Sequence, residues 1–379
     1  MKFTIERSTL LKALAHVSRI VEKRNNVAIL SNVVLSTDGE KLQLRASDLD
    51  IQVTEMVPAR IEAGGATTVP AQLLHDIVRK LPEGAEVSLD NESDEHTMQL
   101  RSGRSRFKLQ TLPEGDFPNI GFEDQGASAG APVHSFELSG ADLRKVLAKT
   151  AFAMSTEETR YYLNGVYLHA HSDDDGRQVL RAVATDGHRL ARFQMDLPAG
   201  ANGLPGMIVP RKTVDQIQKL IESDAATVRV EANATKIRVT FDDLVLVSKL
   251  IDGTFPDYQR VIPRNNDKLA DLDSAELKSA VDRVATVSSE RGRSIKLSLS
   301  ASGAVLQVVT SDTGSATEEV DATYSSDPID IGFNSKYLLD ILNQVDSDDV
   351  RFELADSGSP AIVRGSDASV LYVLMPMRV

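Results

Sequence analysis

The segment from Thr185 to Leu190 has the residue types that most resemble an enzyme site. It reads Thr-Asp-Gly-His-Arg-Leu, so an aspartate and a histidine stand close together, as in some hydrolases. Two residues at this separation need not meet, and no nucleophile motif lies nearby. Asp186-Gly187 is also typical of a plain turn. We therefore predict a binding role here and keep a hydrolase that uses Asp186 and His188 as an alternative.

The sequence contains no known catalytic pattern. It has no P-loop, HExxH, GxSxG or dinucleotide-binding fingerprint, and only 7 His. The absence of Cys excludes disulfides and thiolate metal sites. The acidic run from His171 to Gly176 resembles a calcium loop, but it lacks the later glutamate and is more typical of a hairpin tip. We predict no catalytic residue, and the sequence identifies no metal and no cofactor.

Two further segments have residue types suited to binding. Tyr161 and Tyr162 follow Arg160, and aromatic rings beside a cation suit stacking on bases or phosphates. Alternatively, one ring packs in the core and the other lies on the surface. The C-terminal run from Val373 is apolar almost to its end, which predicts a final strand, an exposed cleft with pliable methionines, or both.

The chain repeats one strand-to-helix pattern at offsets of 133 and 134 residues, close to a third of its 379 residues. The three copies are Phe3–Leu14, Phe136–Leu147 and Ala270–Val281. A repeat of this length is a whole domain, and tandem domains can close into a ring. We predict three similar domains with boundaries at residues 1–125, 126–262 and 263–379.

The hydrophobic patterns predict an α+β fold with many strands and two helical runs per repeat. These runs begin near Ser8, Gln72, Asp142, Arg211, Glu276 and Lys336. In the first run, Ser8 is the predicted N-cap. Spacing predicts a buried stripe and an opposite basic face. The stripe comprises Leu10, Leu14, Val17 and Val21, and the basic face Lys12, His16, Arg19 and Lys23.

The charge is segregated along the chain. The net charge is −13, which argues against ordinary tight nucleic-acid binding. The six helical runs nevertheless sum to +7, so the remainder carries −20. The simpler interpretation, which we favour from charge alone, is that Lys and Arg suit helices whereas turns favour Asp. The functional alternative is that the helices line one surface that faces a polyanion.

The N-terminus, MKFTIER, begins no cleavable apolar segment, and no apolar run in the sequence reaches spanning length. We therefore expect a cytoplasmic protein without a membrane partner.

Several motifs together resemble one family, in its order and along the whole chain. They are MKFT at the start, RSGRSRF from Arg101, RYYLNG from Arg160, ATDGHRLA from Ala184, VPRK from Val209, FPDY from Phe255, GFN from Gly332 and the terminal MPMR. The family is the bacterial DNA polymerase III beta subunit, the sliding clamps. The resemblance implies three similar DNA-clamp domains, each with two helices packed on antiparallel sheets.

The resemblance also implies a head-to-tail homodimer that forms a six-domain ring around double-stranded DNA. A ring is retained on DNA by topology, and scattered Lys and Arg then give a weak, sequence-independent attraction that permits sliding. The implied function is a processivity factor. A toroidal scaffold that never holds DNA is a third hypothesis.

The family implies a peptide pocket between the second and third domains. Its implied clients are the replicative polymerase, the clamp loader, other polymerases and repair proteins, all with short linear motifs. Client Leu and Phe side chains would bury in its apolar part, and His188, Arg189 and Arg378 would hold polar groups. The pocket residues are Tyr162, Leu163, Thr185, Gly187, His188, Arg189, Leu190, Pro256, Arg260, Val261, Asn334, Val373, Leu374, Met375, Pro376, Met377 and Arg378.

The resemblance places further residues on DNA and at the subunit interface. The implied DNA-binding residues are Arg24, Tyr161 and Tyr162, with Arg211 and Lys212 as additions. Glu157 replaces a glutamine that is common in the family, so no contact is predicted there. The implied dimer interface places Phe107 and Leu109 against Thr286 and Val287. Thr286 replaces a larger aliphatic residue, which predicts a smaller apolar contact.

Overall fold

Six α-helices occur in the residues that the computed structural model describes, which are 1–22, 26–91, 96–122, 133–173, 175–288 and 293–378. Each begins within two residues of a predicted start, so the prediction of six helical runs is confirmed. They are α1 (Arg7–Val17), α2 (Ala71–Lys80), α3 (Gly140–Ala151), α4 (Arg211–Leu220), α5 (Ser274–Ala285) and α6 (Ser335–Leu342). None of these helices is long and apolar enough to cross a bilayer.

The sequence repeat is a strand that leads directly into a helix. Its three copies are β1 (Lys2–Glu6) with α1, β10 (His134–Ser139) with α3, and β18 (Lys268–Asp273) with α5. Leu10, Leu143 and Leu277 hold the same place in each helix, and all three are buried. The repeat therefore reflects a repeated packing of helix on sheet.

The N-cap of α1 is Glu6, so the prediction of Ser8 was wrong. The Glu6 carboxylate accepts a hydrogen bond from the Thr9 N–H at 3.0 Å and another from the Ser8 hydroxyl. The hydrogen bonds from Ser8 and Thr9 lower the pKa of Glu6 to about 2. A carboxylate also suits the positive end of the helix dipole, so the helix can begin before Ser8.

The buried stripe of α1 is shorter than predicted. Leu10, Leu14 and Val17 are buried, but the helix ends at Val17, and the Ser18 N–H donates to Leu14 O at 2.9 Å. Val21 therefore lies beyond the helix and is only half-buried, while Ile20 enters the core.

The predicted basic face of α1 needs a correction at His16, which is buried. Its Nδ1 lies 2.9 Å from Glu55 Oε2 and its Nε2 lies 3.1 Å from Glu222 Oε1. Lys12 also pairs with Glu222, at 2.6 Å. Lys12 and His16 therefore pair with carboxylates that are distant in sequence, and helical spacing alone cannot show such partners. Lys23, also predicted on this face, lies outside the described residues.

The chain divides into two compact units. Unit 1 comprises Met1–Arg144, Pro198–Asn202 and Lys212–Leu250. Its described strands form a five-stranded sheet and an eight-stranded sheet, in which neighbouring strands pair antiparallel. In spatial order, the five-stranded sheet is β5 (Arg60–Ala63), β1, β7 (Glu86–Asp90), β8 (Thr97–Ser102), β9 (Ser105–Gln110). The eight-stranded sheet is β10, β15 (Thr227–Ala232), β16 (Lys236–Phe241), β17 (Leu244–Lys249), β4 (Ile51–Pro58), β3 (Lys41–Ser47), β2 (Asn32–Asp38), β6 (Ala66–Pro70). Helix α1 packs against α2 and against β3 and β4.

Unit 2 comprises Lys145–Leu197, Gly203–Arg211 and Ile251–Val379. Its described strands form a nine-stranded and a four-stranded antiparallel sheet. In spatial order, the nine-stranded sheet is β14 (Met207–Pro210), β11 (Gly165–Ser172), β12 (Gln178–Thr185), β13 (Arg189–Asp196), β26 (Val370–Leu374), β25 (Ala361–Arg364), β24 (Asp349–Leu354), β18, β22 (Ala322–Tyr324). The four-stranded sheet is β21 (Gly314–Val320), β20 (Gly303–Thr310), β19 (Ser294–Ser300), β23 (Ile329–Asn334). Helix α5 packs against α6 and against β20 and β21.

Both large sheets run through predicted domain boundaries. In unit 1, β17 pairs with β4, with Leu246 opposite Val53. In unit 2, β13 pairs with β26, with Leu190 opposite Val373. The compact units therefore follow the sheets and not the sequence repeat. The boundary at residue 125 lies outside the described residues, and the three-domain boundaries stay a prediction.

Candidate functional site

The segment singled out for its Asp and His is the tight turn between β12 and β13. Asp186 Oδ1 accepts the backbone N–H groups of His188 and Arg189 at 2.9 and 3.0 Å. Gly187 has φ +89°, and a Cβ there would lie 2.6 Å from Arg160 Nη1, so the turn favours glycine. Thr185 Oγ1 donates to Arg189 O at 2.6 Å and closes the turn. The interpretation of Asp186-Gly187 as a turn is confirmed.

The turn does not form a catalytic pair. The His188 ring is exposed and stacks on Tyr337, with ring centroids 6.1 Å apart. The Asp186 carboxylate is used by backbone N–H groups and by Arg189 Nε at 3.2 Å. In the described part of the chain, no hydrogen bond joins Asp186 to the His188 ring, and the hydrolase alternative lacks its acid–base geometry.

Arg189 braces the turn from below. The side chain is only 8% exposed, and it pairs with Asp186 and with Asp340. Its Nη2 donates to Phe152 O at 2.7 Å, and its guanidinium lies 4.4 Å from the Tyr337 ring centroid. A buried, paired arginine must exchange a partner to contact a new ligand. Arg189 therefore supports the site, and its contact with a client stays a prediction.

The C-terminal run combines the two structures that the sequence left open. Val373 and Leu374 belong to β26 and are buried. Beyond that strand, the Met375 N–H donates to His188 O at 2.9 Å and the Met377 N–H donates to Gly332 O at 2.8 Å. Both methionine side chains are exposed, at 39% and 38%. The tail is thus held by its backbone while its apolar side chains face solvent.

The remaining predicted residues near the tail are polar or partly exposed. Asn334 is the N-cap of α6, and its Oδ1 accepts the N–H groups of Lys336 and Tyr337 at 3.0 and 3.3 Å. Pro376 is half-buried and Arg378 is exposed. Asn334 therefore fixes the start of α6, and Arg378 remains accessible.

A buried apolar cluster lies beneath these segments. Four predicted pocket residues belong to it or pack against it: Tyr162, Leu163, Leu190 and Val373. Sequence reasoning missed six further members, namely Val183, Ile208, Phe255, Tyr258, Ile362 and Leu371. The apolar runs of β12 and β26 indicated that these strands are buried, but no local pattern joined the separate segments that form the cluster.

The segment from Phe255 to Ile262 crosses this cluster. The Phe255 ring stacks on Tyr167 with centroids 4.7 Å apart and planes 3° apart. Tyr258 is buried and opens a short 3₁₀ helix, Tyr258–Val261, in which Val261 is exposed. Pro256 is also exposed, between the two anchoring rings.

The polar group at the end of that segment is an ion pair. The predicted pocket residue Arg260 is exposed, and its Nε lies 2.8 Å from Asp257 Oδ2. An exposed pair of this kind is weak and can exchange for a ligand carboxylate.

His169 is a buried titratable group under the same segment. Its Nε2 lies 3.0 Å from the Tyr258 hydroxyl, and its Nδ1 lies 3.0 Å from Ala170 O. Burial lowers the pKa of His169 to about 4, and the neighbouring His171 and Arg181 add to this effect. The ring is therefore neutral at physiological pH.

The lowered pKa of His169 predicts a pH-dependent stability. In the unfolded chain its pKa returns to 6.5, so the unfolded state binds more protons between pH 6.5 and about 4. The stability due to neutral His169 is complete above pH 6.5 and is lost as pH falls toward about 4, by up to ~3 kcal/mol. Urea unfolding of the wild type and His169→Gln across this range measures it. The control variant His134→Gln should show the same pH dependence of the unfolding free energy as the wild type. If His169→Gln shows it too, the prediction is contradicted.

The two predicted DNA-binding tyrosines lie in the 3₁₀ helix Glu158–Leu163. Tyr161 is exposed, whereas Tyr162 is partly buried against the cluster, and their rings meet edge to face at 5.8 Å. Arg160 pairs with Glu157 through Nη2 at 2.6 Å and Nε at 2.8 Å. One ring is therefore available for a ligand and the other supports it.

Two of the predicted DNA-binding cations, Arg211 and Lys212, already have partners. Arg211 Nη2 donates to Met154 O and Ser155 O at 2.7 and 2.8 Å. Lys212 pairs with Glu22 at 3.0 Å and also with Asp48. Each would have to exchange a partner to contact a phosphate. Arg24 lies outside the described residues.

At the predicted dimer interface, the exposed apolar side chain is Phe107. It is 37% exposed on the edge strand β9, whereas Leu109 is 3% exposed and lies opposite the buried Met98. Phe107 is therefore accessible to a second copy, whereas Leu109 is buried, and the contact of both residues with a partner stays a prediction. Thr286 is exposed at the end of α5, and Val287 is half-buried.

Together these features define a class of protein with a repeated strand-and-helix unit and exposed apolar side chains held beside a buried cluster. The residues that the structure describes form no acid–base pair at the turn of Asp186 and His188. No cluster of metal-ligating side chains occurs in the described ranges. Comparison with known proteins then places the chain: it belongs to the DNA polymerase III beta subunit family. The N-terminal domain model of that family matches residues 1–121, the central domain model 137–257 and the C-terminal domain model 259–378.

Similar proteins cover the chain from end to end. The beta sliding clamp of Caulobacter vibrioides is 48% identical over 380 residues, and that of Escherichia coli K12 is 39% identical over 382, with all of both chains covered in each case. A crystal structure of the Bartonella birtlesii sliding clamp bound to griselimycin is 49% identical, covers all of both chains and has a TM-score of 0.94.

Family membership confirms the predicted fold class and function. The protein is a DNA sliding clamp built from three similar clamp domains, and two copies form a six-domain ring. It is a non-catalytic processivity factor and not an enzyme. Neither the hydrolase nor the toroidal scaffold describes it.

Proposed function

We propose that the apolar surface flanking the buried cluster of unit 2 binds short client peptides. These belong to the replicative polymerase, the clamp loader, other polymerases and repair proteins. One observation supports this most directly: Val261, Met375 and Met377 are exposed, yet each belongs to a segment that is held at the cluster. Exposed apolar side chains held in place are typical of a binding site for apolar groups.

In the proposed site, apolar side chains contact the apolar groups of the peptide and polar side chains contact its polar groups. Methionine side chains adapt to different shapes, so Met375 and Met377 suit clients that present different Leu and Phe side chains. His188, Arg260 and Arg378 are exposed around them and suit peptide carbonyls and carboxylates. Arg189 and Asn334 hold the turn and the start of α6 in place.

Calorimetric titration with a polymerase-derived peptide that contains Leu and Phe tests the proposal. The wild-type protein is expected to bind it, and a peptide with both residues replaced by Ala is expected not to bind. Griselimycin, which the Bartonella birtlesii relative binds, is expected to compete with the peptide. Equal binding of both peptides would contradict the proposed site.

We further propose that Arg24, Tyr161 and Tyr162 contact the DNA inside the ring, with Arg211 and Lys212 contributing after partner exchange. The exposed ring of Tyr161 supports a stacking contact. The clamp is proposed to work in the cytoplasm, because its DNA lies inside the cell. Ring loading is tested by retention on circular DNA, which should be lost when the DNA is linearised.

Arg24→Ala is expected to weaken DNA binding modestly. One arginine supplies one phosphate contact, so the slope of log affinity against log salt should fall by about 1. Fluorescence anisotropy at several salt concentrations measures the slope. Arg229→Ala, which removes an exposed arginine on β15, is the control and should have no effect. A loss that is insensitive to salt would contradict the prediction.

We propose that the dimer interface pairs two exposed sheet edges, with Phe107 near Thr286 and Val287 of the second copy. Strand β9 is at one edge of its sheet and β21 is at one edge of the four-stranded sheet. The exposed Arg106 on β9 and the exposed Glu319 on β21 have opposite charges. Two unpaired edges with complementary charge favour antiparallel pairing between chains.

A further inference from the structure

His169 and Arg181 lie beneath the proposed peptide site without being part of its surface. Both are buried, and they are direct cross-strand partners on β11 and β12. Arg181 Nε donates to Gln194 Oε1 at 2.9 Å, so strand β13 is joined to the same group. Two adjacent strands thus present polar groups to one point, and Gln194 on the third strand holds the arginine.

That point is the hydroxyl of Tyr258. Arg181 Nη1 donates to it at 3.4 Å, and it lies 3.0 Å from His169 Nε2. His169 Nδ1 lies 3.0 Å from Ala170 O, a pure acceptor, so Nδ1 carries a proton. In the neutral ring Nε2 is then an acceptor, and the Tyr258 hydroxyl donates to it. Each group satisfies the next only while His169 is neutral.

Tyr258 belongs to a segment that is held at two points. Phe255 stacks on Tyr167, and Tyr258 is held by its hydroxyl three residues later. The exposed Pro256 lies between these points, and Val261 follows directly. The ring stack fixes where the segment starts, and the hydroxyl fixes how the short helix is oriented.

We propose that His169 and Arg181 are positioning residues of the peptide site, which act by fixing the Tyr258 hydroxyl and hence the placement of Pro256, Arg260 and Val261. This inference rests on the proposed peptide-binding function. Without the hydroxyl, the segment would sample several placements, and only some would accept a peptide. The apparent affinity falls in proportion to the competent fraction.

The charged and titratable groups that face His169 predict how acid would act. Arg181 faces it from β12, Tyr258 from the crossing segment, and Tyr167 and His171 from β11, with ring centroids at 4.7 and 5.7 Å. A second proton would turn Nε2 into a donor, which would displace the Tyr258 hydrogen and add a cation beside Arg181. Acid should therefore release the segment.

Tyr258→Phe tests the role of the hydroxyl against a matched control. Tyr324 has the same 5% exposure, and its hydroxyl donates to Asp327 O at 2.6 Å, so Tyr324→Phe also removes one satisfied hydroxyl. We expect Tyr258→Phe and His169→Ala to lower the affinity for the polymerase-derived peptide by about fivefold to tenfold, as loss of one buried hydrogen bond predicts. Tyr324→Phe should bind like the wild type. Equal peptide affinities in Tyr258→Phe and wild type would overturn the inference.

His169→Gln supplies a readout that a purely structural role would not change. Glutamine can place an oxygen near Nε2, so it keeps an acceptor for Tyr258 but does not titrate. We expect near-wild-type affinity at pH 7, and a smaller loss than in wild type between pH 6 and 4. The comparison removes the pH dependence of the other groups at the site, which both proteins share. Identical pH profiles would overturn the inference.

The two proposals fail differently. If the wild type does not bind the peptide, or Met375→Ala binds it normally, the proposed peptide site falls and the inference falls with it. If the wild type binds, Met375→Ala does not, and the Tyr258 and His169 variants match wild type, the inference alone is wrong.

Discussion

Deletion of Met375 to Val379 is expected to abolish client-peptide binding, and Met375→Ala alone to weaken it by at least about tenfold, as for an apolar hot-spot residue. Met375 is 39% exposed, although its backbone N–H is fixed on His188 O at 2.9 Å. The side chain is therefore presented at little entropic cost, and its loss is not compensated elsewhere. Calorimetry with the polymerase-derived peptide measures the change.

Leu112→Ala is the matched control for this prediction. Leu112 is 38% exposed and belongs to unit 1, whereas the cluster consists of residues of unit 2. The Leu112→Ala variant should bind the peptide as tightly as the wild type. Native mass spectrometry should show dimers of Leu112→Ala, of Met375→Ala and of the deletion variant. Wild-type affinity after deletion of the tail would refute the site, and a monomeric deletion variant would show that the tail also supports the dimer.

Phe107→Glu is expected to convert the ring into monomers at micromolar concentration. The substitution removes the exposed aromatic side chain of β9 and places a carboxylate in an apolar contact that Thr286 already makes small. Native mass spectrometry should show the mass of one chain in place of two. Retention on circular DNA should disappear with it.

The monomeric Phe107→Glu variant should still bind the peptide, because the proposed peptide site lies within one unit of one chain. Leu73→Glu places the same charge at another exposed apolar position and should remain dimeric. A dimeric Phe107→Glu protein would place the interface elsewhere.

Local sequence patterns predicted the helices and the turn because interactions between residues close in sequence define them. Helix α4 begins at the predicted Arg211, and α2 begins one residue before the predicted Gln72. The turn at Asp186-Gly187 was equally local, since one carboxylate and one glycine define it. Such features depend on neighbours a few residues away, which the sequence places side by side.

Partners distant in sequence account for the errors. His16 was predicted on the basic face of α1, but it is buried, and Glu222 pairs with it from 206 positions away. Arg189 likewise pairs with Asp340 from 151 positions away, which no local pattern indicates. The family resemblance supplied Tyr162, Leu163, Leu190 and Val373, whereas Ile208 and Ile362 join them only because the nine-stranded sheet brings their strands together.

The position of β26 has a consequence for how the protein is made. This strand is synthesised after both of its neighbours, yet it lies between β13 and β25 in the middle of the nine-stranded sheet. Until β26 has left the ribosome, both neighbouring strands keep an unpaired edge that can aggregate or recruit a chaperone. The large sheet of unit 2 therefore closes later than the sheets of unit 1, whose strands are all synthesised before β26.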